Sequence, residues 1–335
     1  MSIPALSVLL PVRNAAATLE PCLRSIARQS EGRFECVILD DGSRDGSQEI
    51  ARRFAARDPR FRLVTRDPTG IVESLNAGLA ACRGALVARM DADDLAHHHR
   101  LARQRAALDA DPALAAVGCH VRLFPRAGLG DGMRAYEAWL RSLRSAEDVA
   151  RDAFVECPLA HPTWLVRREI FEKLPYRDRG WPEDYDWLLR AHTTGLRLGV
   201  VPRRLLAWRT GHARLSRNDP AYGIDRFTAC KAHHLARSFL AGTDGYVLWG
   251  YGHTGRALRK ALAEEGRHPT HIVELHPGRL GNRIHGARVI PPEALRGLEA
   301  RPIVVSVAGE TARTEIRAAL AALDRRETVD YVCAA

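Results

Sequence analysis

Apolar and polar positions alternate along this chain in two rhythms. Short apolar runs of four to seven residues are separated by longer stretches with helical spacing. Leu6-Ser7-Val8-Leu9-Leu10-Pro11-Val12 is the first run and reads as a buried strand. Asn14 is placed to cap a helix running through Cys22 to Gln29. Phe34 to Leu39 is a second strand, ending in the turn-rich stretch Asp40 to Ser47, and a helix follows through Phe54. Phe61 to Val64 predicts a third strand, Ser74 to Cys82 a helix, and Gly84 to Ala88 a fourth strand. Strands alternating with helices at this spacing predict an α/β fold with a doubly wound, mostly parallel sheet.

Beyond Arg100 an Ala-rich helix runs to Asp109, and the pattern then loosens. Tyr136, Trp139, Leu140 and Leu143 recur at helical spacing, which predicts packing into a core. Ala221 to Leu240 is another helical stretch, and Ala241 to Gly245 reads as a linker. The strand–helix rhythm then restarts with Tyr246 to Trp249, a helix to Glu265, His271 to Glu274, and Ile303 to Val307. The expected organisation is a large domain over 1–240 and a small Rossmann-like α/β domain over 245–335. The large one divides into a first half, about 1–119, and a second, about 120–240.

The length of 335 residues suits two domains. No apolar run reaches the roughly 18 residues that span a bilayer, and Met1-Ser2-Ile3-Pro4 has no basic leader. The seven Cys are scattered and never in C-x-x-C spacing, which argues for a reducing compartment and a cytoplasmic protein. The net charge is +10. Residues 120–240 carry 21 basic and 14 acidic side chains, against 16 and 15 before them and 13 and 11 after. That excess would suit an anionic partner such as RNA, lipid phosphate or a charged glycan. Only three of the 50 basic residues are Lys, so an Arg-heavy composition explains the excess more simply.

Arg89-Met90-Asp91-Ala92-Asp93-Asp94 places three carboxylates in four residues after the fourth strand. On a strand, positions i and i+2 share a face, so Asp91 and Asp93 are expected to point the same way. Like charges held together call for a cation, and a hard divalent ion, Mg²⁺ or Mn²⁺, suits oxygen ligands. The ordinary alternative is an acidic turn. Asp40-Asp41 ends another strand, and ligands of doubly wound sheets bind at that edge. His97, His98 and His99 are consecutive, do not share a helix face, and read as surface. Gly250-Tyr251-Gly252-His253-Thr254-Gly255 after a strand, with Glu274 ending the next, matches the dinucleotide fingerprint. The same glycines also serve a tight turn and helix packing.

LSVLLPVRNAAATLEPCLRSI, CVILDDGSRDGS, GIVESLNAGLAACRGALVARMDADD and GWPEDYDWLLR together resemble the family 2 glycosyltransferases of GT-A fold, over about residues 5–215. The resemblance implies a nucleotide-sugar donor, most often a UDP-sugar. It implies that Pro11 and Val12 line the nucleobase pocket and that Asp41 contacts the base. Asp91 falls nearer the nucleoside, and Asp93 and Asp94 in the metal-binding region. His212 matches a late His close to the metal or diphosphate. Asp184 matches the general base of an inverting reaction, with Glu183 as its neighbouring alternative, and His161 falls on the acceptor side.

The acceptor implied is a glycan or glycolipid, met in solution or at the inner membrane face. The whole-chain order is also loosely similar to that of tRNA-queuosine galactosyltransferases, which would make the acceptor a modified tRNA nucleoside. Three other classes compete. An NAD(P)-binding oxidoreductase would use the C-terminal fingerprint but lacks a partner domain. A nucleotidyltransferase would carry a Gly-rich basic loop where Pro11 to Ala16 has no Gly. A non-catalytic RNA-binding module leaves the acidic set unexplained.

Overall fold

The computed structural model describes residues 4–211 and 218–335. Their contacts gather into two compact units interleaved along the chain. The first takes the described residues of 1–150, 158–178 and 194–217. The second takes 151–157, 179–193 and 218–335.

The first unit is built on a mixed eight-stranded sheet. Its strands are β1 (Leu6–Val12), β2 (Phe34–Asp41), β3 (Phe61–Arg66), β4 (Leu86–Arg89), β5 (Leu95–Ala96), β6 (Leu114–Phe124), β7 (Leu165–Arg167) and β8 (Arg197–Arg209). They lie in the order β3-β2-β1-β4-β7-β6-β8-β5. The β3-β2-β1-β4 half is parallel, and β7 pairs antiparallel with both β4 and β6. The expected parallel-dominated α/β sheet is therefore present. Leu6, Val8, Leu9 and Leu10 are at most 2% exposed, because β1 is covered on both faces. At roughly 1.5–3 kcal/mol for each fully buried large apolar side chain, this strand anchors the core.

Several local expectations are corrected. Asn14 does not cap the first helix, Ala16–Ala27. It takes a left-handed backbone (φ 50°) and its side chain accepts a bond from the Arg44 amide instead. Strand β2 runs on through Asp40 and Asp41, which read as turn. Strand β4 stops at Arg89, so Asp91 and Asp93 are not strand neighbours. Trp139, Leu140 and Leu143 are buried as expected.

The second unit has a six-stranded sheet. It comprises β9 (Tyr246–Trp249), β10 (Pro269–Val273), β11 (Arg283–Ile284), β12 (Ala287–Ile290), β13 (Ile303–Val305) and β14 (Tyr331–Cys333). The order β11-β12-β10-β9-β13-β14 is parallel except at the β11–β12 hairpin. It is Rossmann-like, as expected. Gly250 makes the turn after β9 with φ 93°. A Cβ on Gly255 would lie 2.2 Å from the Gly250 carbonyl oxygen, so this glycine lets helix His253–Glu264 close on the strand. Helices Glu183–Thr193 and Ile224–Arg237 belong to this unit. Among the described residues no helix is long and apolar enough to cross a membrane.

Candidate active site

In the first unit β1 lies between β2, which continues the winding to β3, and β4, which starts the other side. That is the switch point where a parallel sheet opens a crevice at its carboxyl edge. The register pairs Val12 with Asp40 and Leu9 with Arg89, so the ends of β1, β2 and β4 reach one edge together. Pro11, Val12, Asp41 and Asp91 to Asp94 all lie on it.

Asp41 is 4% exposed and organises the loop after β3. Its Oδ1 accepts from the Thr69 amide at 2.9 Å and the Thr69 hydroxyl at 3.3 Å. Its Oδ2 accepts from the Gly70 amide at 3.1 Å and Arg13 at 3.3 Å. Burial pushes the carboxyl pKa up, but the donors outweigh it and hold it below the usual range. A carboxylate has about four acceptor positions. A ligand N–H would therefore replace one of these donors, and the Arg13 arm, 55% exposed, is the most easily displaced.

The three carboxylates after β4 are gathered by a turn, not by strand alternation. The Asp94 amide donates to the Asp91 carbonyl across it. Oxygen atoms of Asp91, Asp93 and Asp94 come within 4.8 Å of one another. Asp91 and Asp93 are half-buried, whereas Asp94 is fully buried. Asp94 Oδ1 accepts from the Arg209 amide of β8 at 2.7 Å, and Arg209 Nε donates to the Asp93 carbonyl at 2.8 Å. Arg89 pairs with Asp91 at 2.7 Å. Arg100, 1% exposed, donates to the Arg89 carbonyl at 2.7 Å and to Gln104 at 3.0 Å. The buried Cys22 thiol donates to the Asp91 carbonyl. Two buried guanidiniums thus brace a turn carrying three carboxylates. The donor set, hard oxygens with two side chains reaching solvent, fits a hard divalent ion.

In the second unit, Pro182 precedes helix Glu183–Thr193. Its first turn holds Glu183, Asp184 and Asp186. Glu183 is buried and accepts from the Tyr222 hydroxyl. Asp184 is half-buried, with Oδ1 2.7 Å from the Tyr185 amide. Asp186 is 3% exposed. Its Oδ1 faces Trp181 Nε1 and His234 Nε2, each at 3.1 Å, and its Oδ2 faces Arg190 Nε at 2.7 Å. Burial pushes the Asp186 pKa up, but the His234 bond and the Arg190 charge outweigh it and bring it down to about 2.

Asp186, Cys230 and His234 also have ligand atoms within 4.8 Å of one another. They do not fit a metal. Asp186 already receives three donors, one of them a guanidinium, and burial pushes the Cys230 thiol pKa well up, so it stays protonated.

His212 lies outside the described residues. His97, His98 and His99 are exposed. His161 is buried against the Tyr176 hydroxyl at 2.8 Å, and burial pushes its pKa well down. Glu274 receives the Tyr251 amide at 2.9 Å and Arg279 at 3.0 Å. Sequence reasoning missed Arg89, Arg100, Arg209, Tyr222 and His234. Arg89 had one signal, its place directly before the acidic run.

The sequence profile of glycosyl transferase family 2 matches residues 7–175, half of the chain. EpsE of Bacillus subtilis (strain 168), named as a glycosyltransferase, is 28% identical over 247 residues, 70% of this chain and 85% of EpsE. Glycosyltransferase AglE of Haloferax volcanii is 33% identical over 105 residues, 30% of this chain and 34% of AglE. The relatives of higher identity are matched over 27–37% of their own length; EpsH, at 36% identity, is matched over 27%. Among solved structures, S. aureus TarS 1–349 in complex with UDP-GlcNAc has a TM-score of 0.56 at 14% identity, covering 77% of this chain and 71% of TarS. Mannosyltransferase PcManGT from Pyrobaculum calidifontis, in complex with GDP-Man and Mn²⁺, has a TM-score of 0.53 at 22% identity, covering 79% and 70%. The GT-A fold expected from the motifs is thus matched in space, and the chain belongs to glycosyl transferase family 2.

Proposed function

We propose that this protein is an inverting, metal-dependent glycosyltransferase. It takes a sugar from a nucleotide-sugar, a UDP-sugar in our reading, to an acceptor hydroxyl. The gathering of Asp91, Asp93 and Asp94 beside Asp41 at the switch point of the parallel sheet carries the proposal. Family membership and the nucleotide-sugars named with TarS and PcManGT support it.

In this scheme Pro11 and Val12 line the nucleobase pocket, and Asp41 takes a base N–H in exchange for Arg13. Asp91, held by Arg89, serves the nucleoside, while Asp93, with Asp94 behind it, would hold Mn²⁺ or Mg²⁺. His212, outside the described residues, is a further metal ligand in this reading. When bound, the ion neutralises charge growing on the diphosphate as the glycosidic bond breaks. Asp184 takes the acceptor proton as that oxygen attacks the anomeric carbon. The bond to the diphosphate breaks with its electron pair left on the leaving oxygen, and the configuration inverts. Glu183 is tied to Tyr222, which supports Asp184 as the base.

Residues 1–240 form the transferase domain in this proposal, with donor half 1–119 and acceptor half 120–240, and 245–335 form the appended Rossmann-like domain. We place the protein in the cytoplasm, supported by seven buried cysteine thiols, with a glycan or glycolipid as acceptor. The test incubates the chain with Mn²⁺ and UDP-galactose, UDP-glucose, UDP-N-acetylglucosamine or GDP-mannose, and follows nucleotide release and thermal shift. Response to one UDP-sugar is expected. No response to any nucleotide-sugar refutes the proposal, and response to GDP-mannose alone refutes the UDP assignment.

A further inference from the structure

Helix Glu183–Thr193 is tied to the second unit at every level of its first turns. Glu183 bonds Tyr222, the Tyr185 hydroxyl donates to the Ala153 carbonyl at 3.0 Å, and Asp186 meets His234. His234 sits on helix Ile224–Arg237, whose next contact lies deeper in the unit. The adjacent His233 faces Glu265 at 3.1 Å, and Arg237 pairs with the other Glu265 oxygen. Glu265 is the C-cap of the helix that leaves the Gly250 turn. On the same helix the Lys231 ammonium donates to the Val155 carbonyl at 3.0 Å and the Ala334 carbonyl at 2.6 Å. Arg317 closes the circuit by pairing with Asp152 at 2.5 Å and with Glu327. Charge-assisted bonds of helix Ile224–Arg237 therefore reach from Glu265 and the Ala334 carbonyl to Asp186, two residues from Asp184.

We infer that the six-stranded unit is the seat of the general base, and that His234 and Glu265 are positioning residues that fix the Asp184 carboxylate through Asp186 and helix Ile224–Arg237. The inference rests on Asp184 being the base. It gives the Rossmann-like unit a role with no ligand of its own. Two neighbouring imidazoles divide the work: His234 reaches forward to the base helix and His233 backward to the Rossmann helix.

The test uses the full chain with Mn²⁺ and the UDP-sugar that it turns over fastest. His234→Leu removes the donor to Asp186, His234→Gln restores an N–H, and Glu265→Gln weakens the link behind. Nucleotide affinity is read by calorimetry with UDP and Mn²⁺. A misplaced catalytic group costs rate more than binding, so His234→Leu should lower kcat about tenfold or more, with UDP affinity within about twofold of native. His234→Gln should recover kcat to within about threefold, and Glu265→Gln should lower it about threefold. A folded His234→Leu enzyme with native kcat overturns the inference, as does a loss confined to UDP affinity. If His234→Leu does not fold, Glu265→Gln decides alone, since its pair is partly exposed; native kcat there overturns the inference too. Absence of turnover by the native chain on every nucleotide-sugar refutes the reading of Asp184 as a base, and the inference falls with it.

Discussion

Replacing Asp186 with Asn tests how much the buried network beside Asp184 holds. The native carboxylate titrates at about 2 against an ordinary 3.8. Each pKa unit is 1.36 kcal/mol, so the ionised form contributes about 2–3 kcal/mol to the folded state. The folded value is depressed, so this contribution is present above pH 3.8 and is lost as the pH falls from 3.8 toward 2. Asp186→Asn keeps a carbonyl for Trp181 and His234 but turns its N–H₂, a donor, on the Arg190 guanidinium. It should cost about 2–3 kcal/mol at pH 7. Asp186→Ala takes the carboxylate away from the buried Arg190 guanidinium and should cost about 3–5 kcal/mol. The assay is urea denaturation of native and variant chains at several pH values between 7 and 3, followed by tryptophan fluorescence. The native advantage over Asp186→Asn should be constant down to about pH 4 and then shrink. An advantage independent of pH, or absent at pH 7, refutes the argument that Asp186 is held ionised by its partners.

Three further outcomes are expected. Asp184→Asn should lower kcat by about 10²-fold or more while UDP binding is kept, and Glu183→Gln should lower it less, as kinetics beside calorimetry would show. Asp93→Ala should abolish the Mn²⁺ dependence of UDP binding, measured by titrating the metal at fixed nucleotide; an unchanged metal response refutes its place in the ion site. Gly255→Ala forces a Cβ against the Gly250 carbonyl, and overpacking of this kind costs about 1–3 kcal/mol. Its melting temperature should drop, and a native value would mean that the loop relaxes freely.

The parallel half of the first sheet was legible because β1, β2 and β4 are apolar runs with clean ends. Asp41 and the acidic run were legible because they stand at those ends. The means by which the acidic run is gathered was not. Strand alternation predicts that Asp91 and Asp93 share a face, yet the chain leaves the strand at Arg89 and a turn does the work. Strand β8 was missed because Pro202, Arg203 and Arg204 interrupt its apolar pattern on a solvated face. Arg100 could not be read as buried, since isolated charges favour water. What pays its desolvation, the Arg89 carbonyl and Gln104, is set by tertiary packing. The tie between Tyr222 and Glu183 spans 39 positions, and no local pattern encodes such a pair.

The two units are interleaved along the chain, and this shapes how the protein can be made and remade. During synthesis, helix Glu183–Thr193 emerges well before β9 to β14, the sheet against whose unit it packs. The segment carrying Asp184 meets Tyr222 and His234 only 39 and 48 positions later, and the helix bearing His234 meets Glu265 later still. Recombination between relatives at the 241–245 linker would part helix Ile224–Arg237, on which that segment rests, from Glu265 and the Ala334 carbonyl. Crossovers that keep 151–157, 179–193 and 218–335 from one parent preserve them, so hybrid transferases are best cut at the edges of these three pieces.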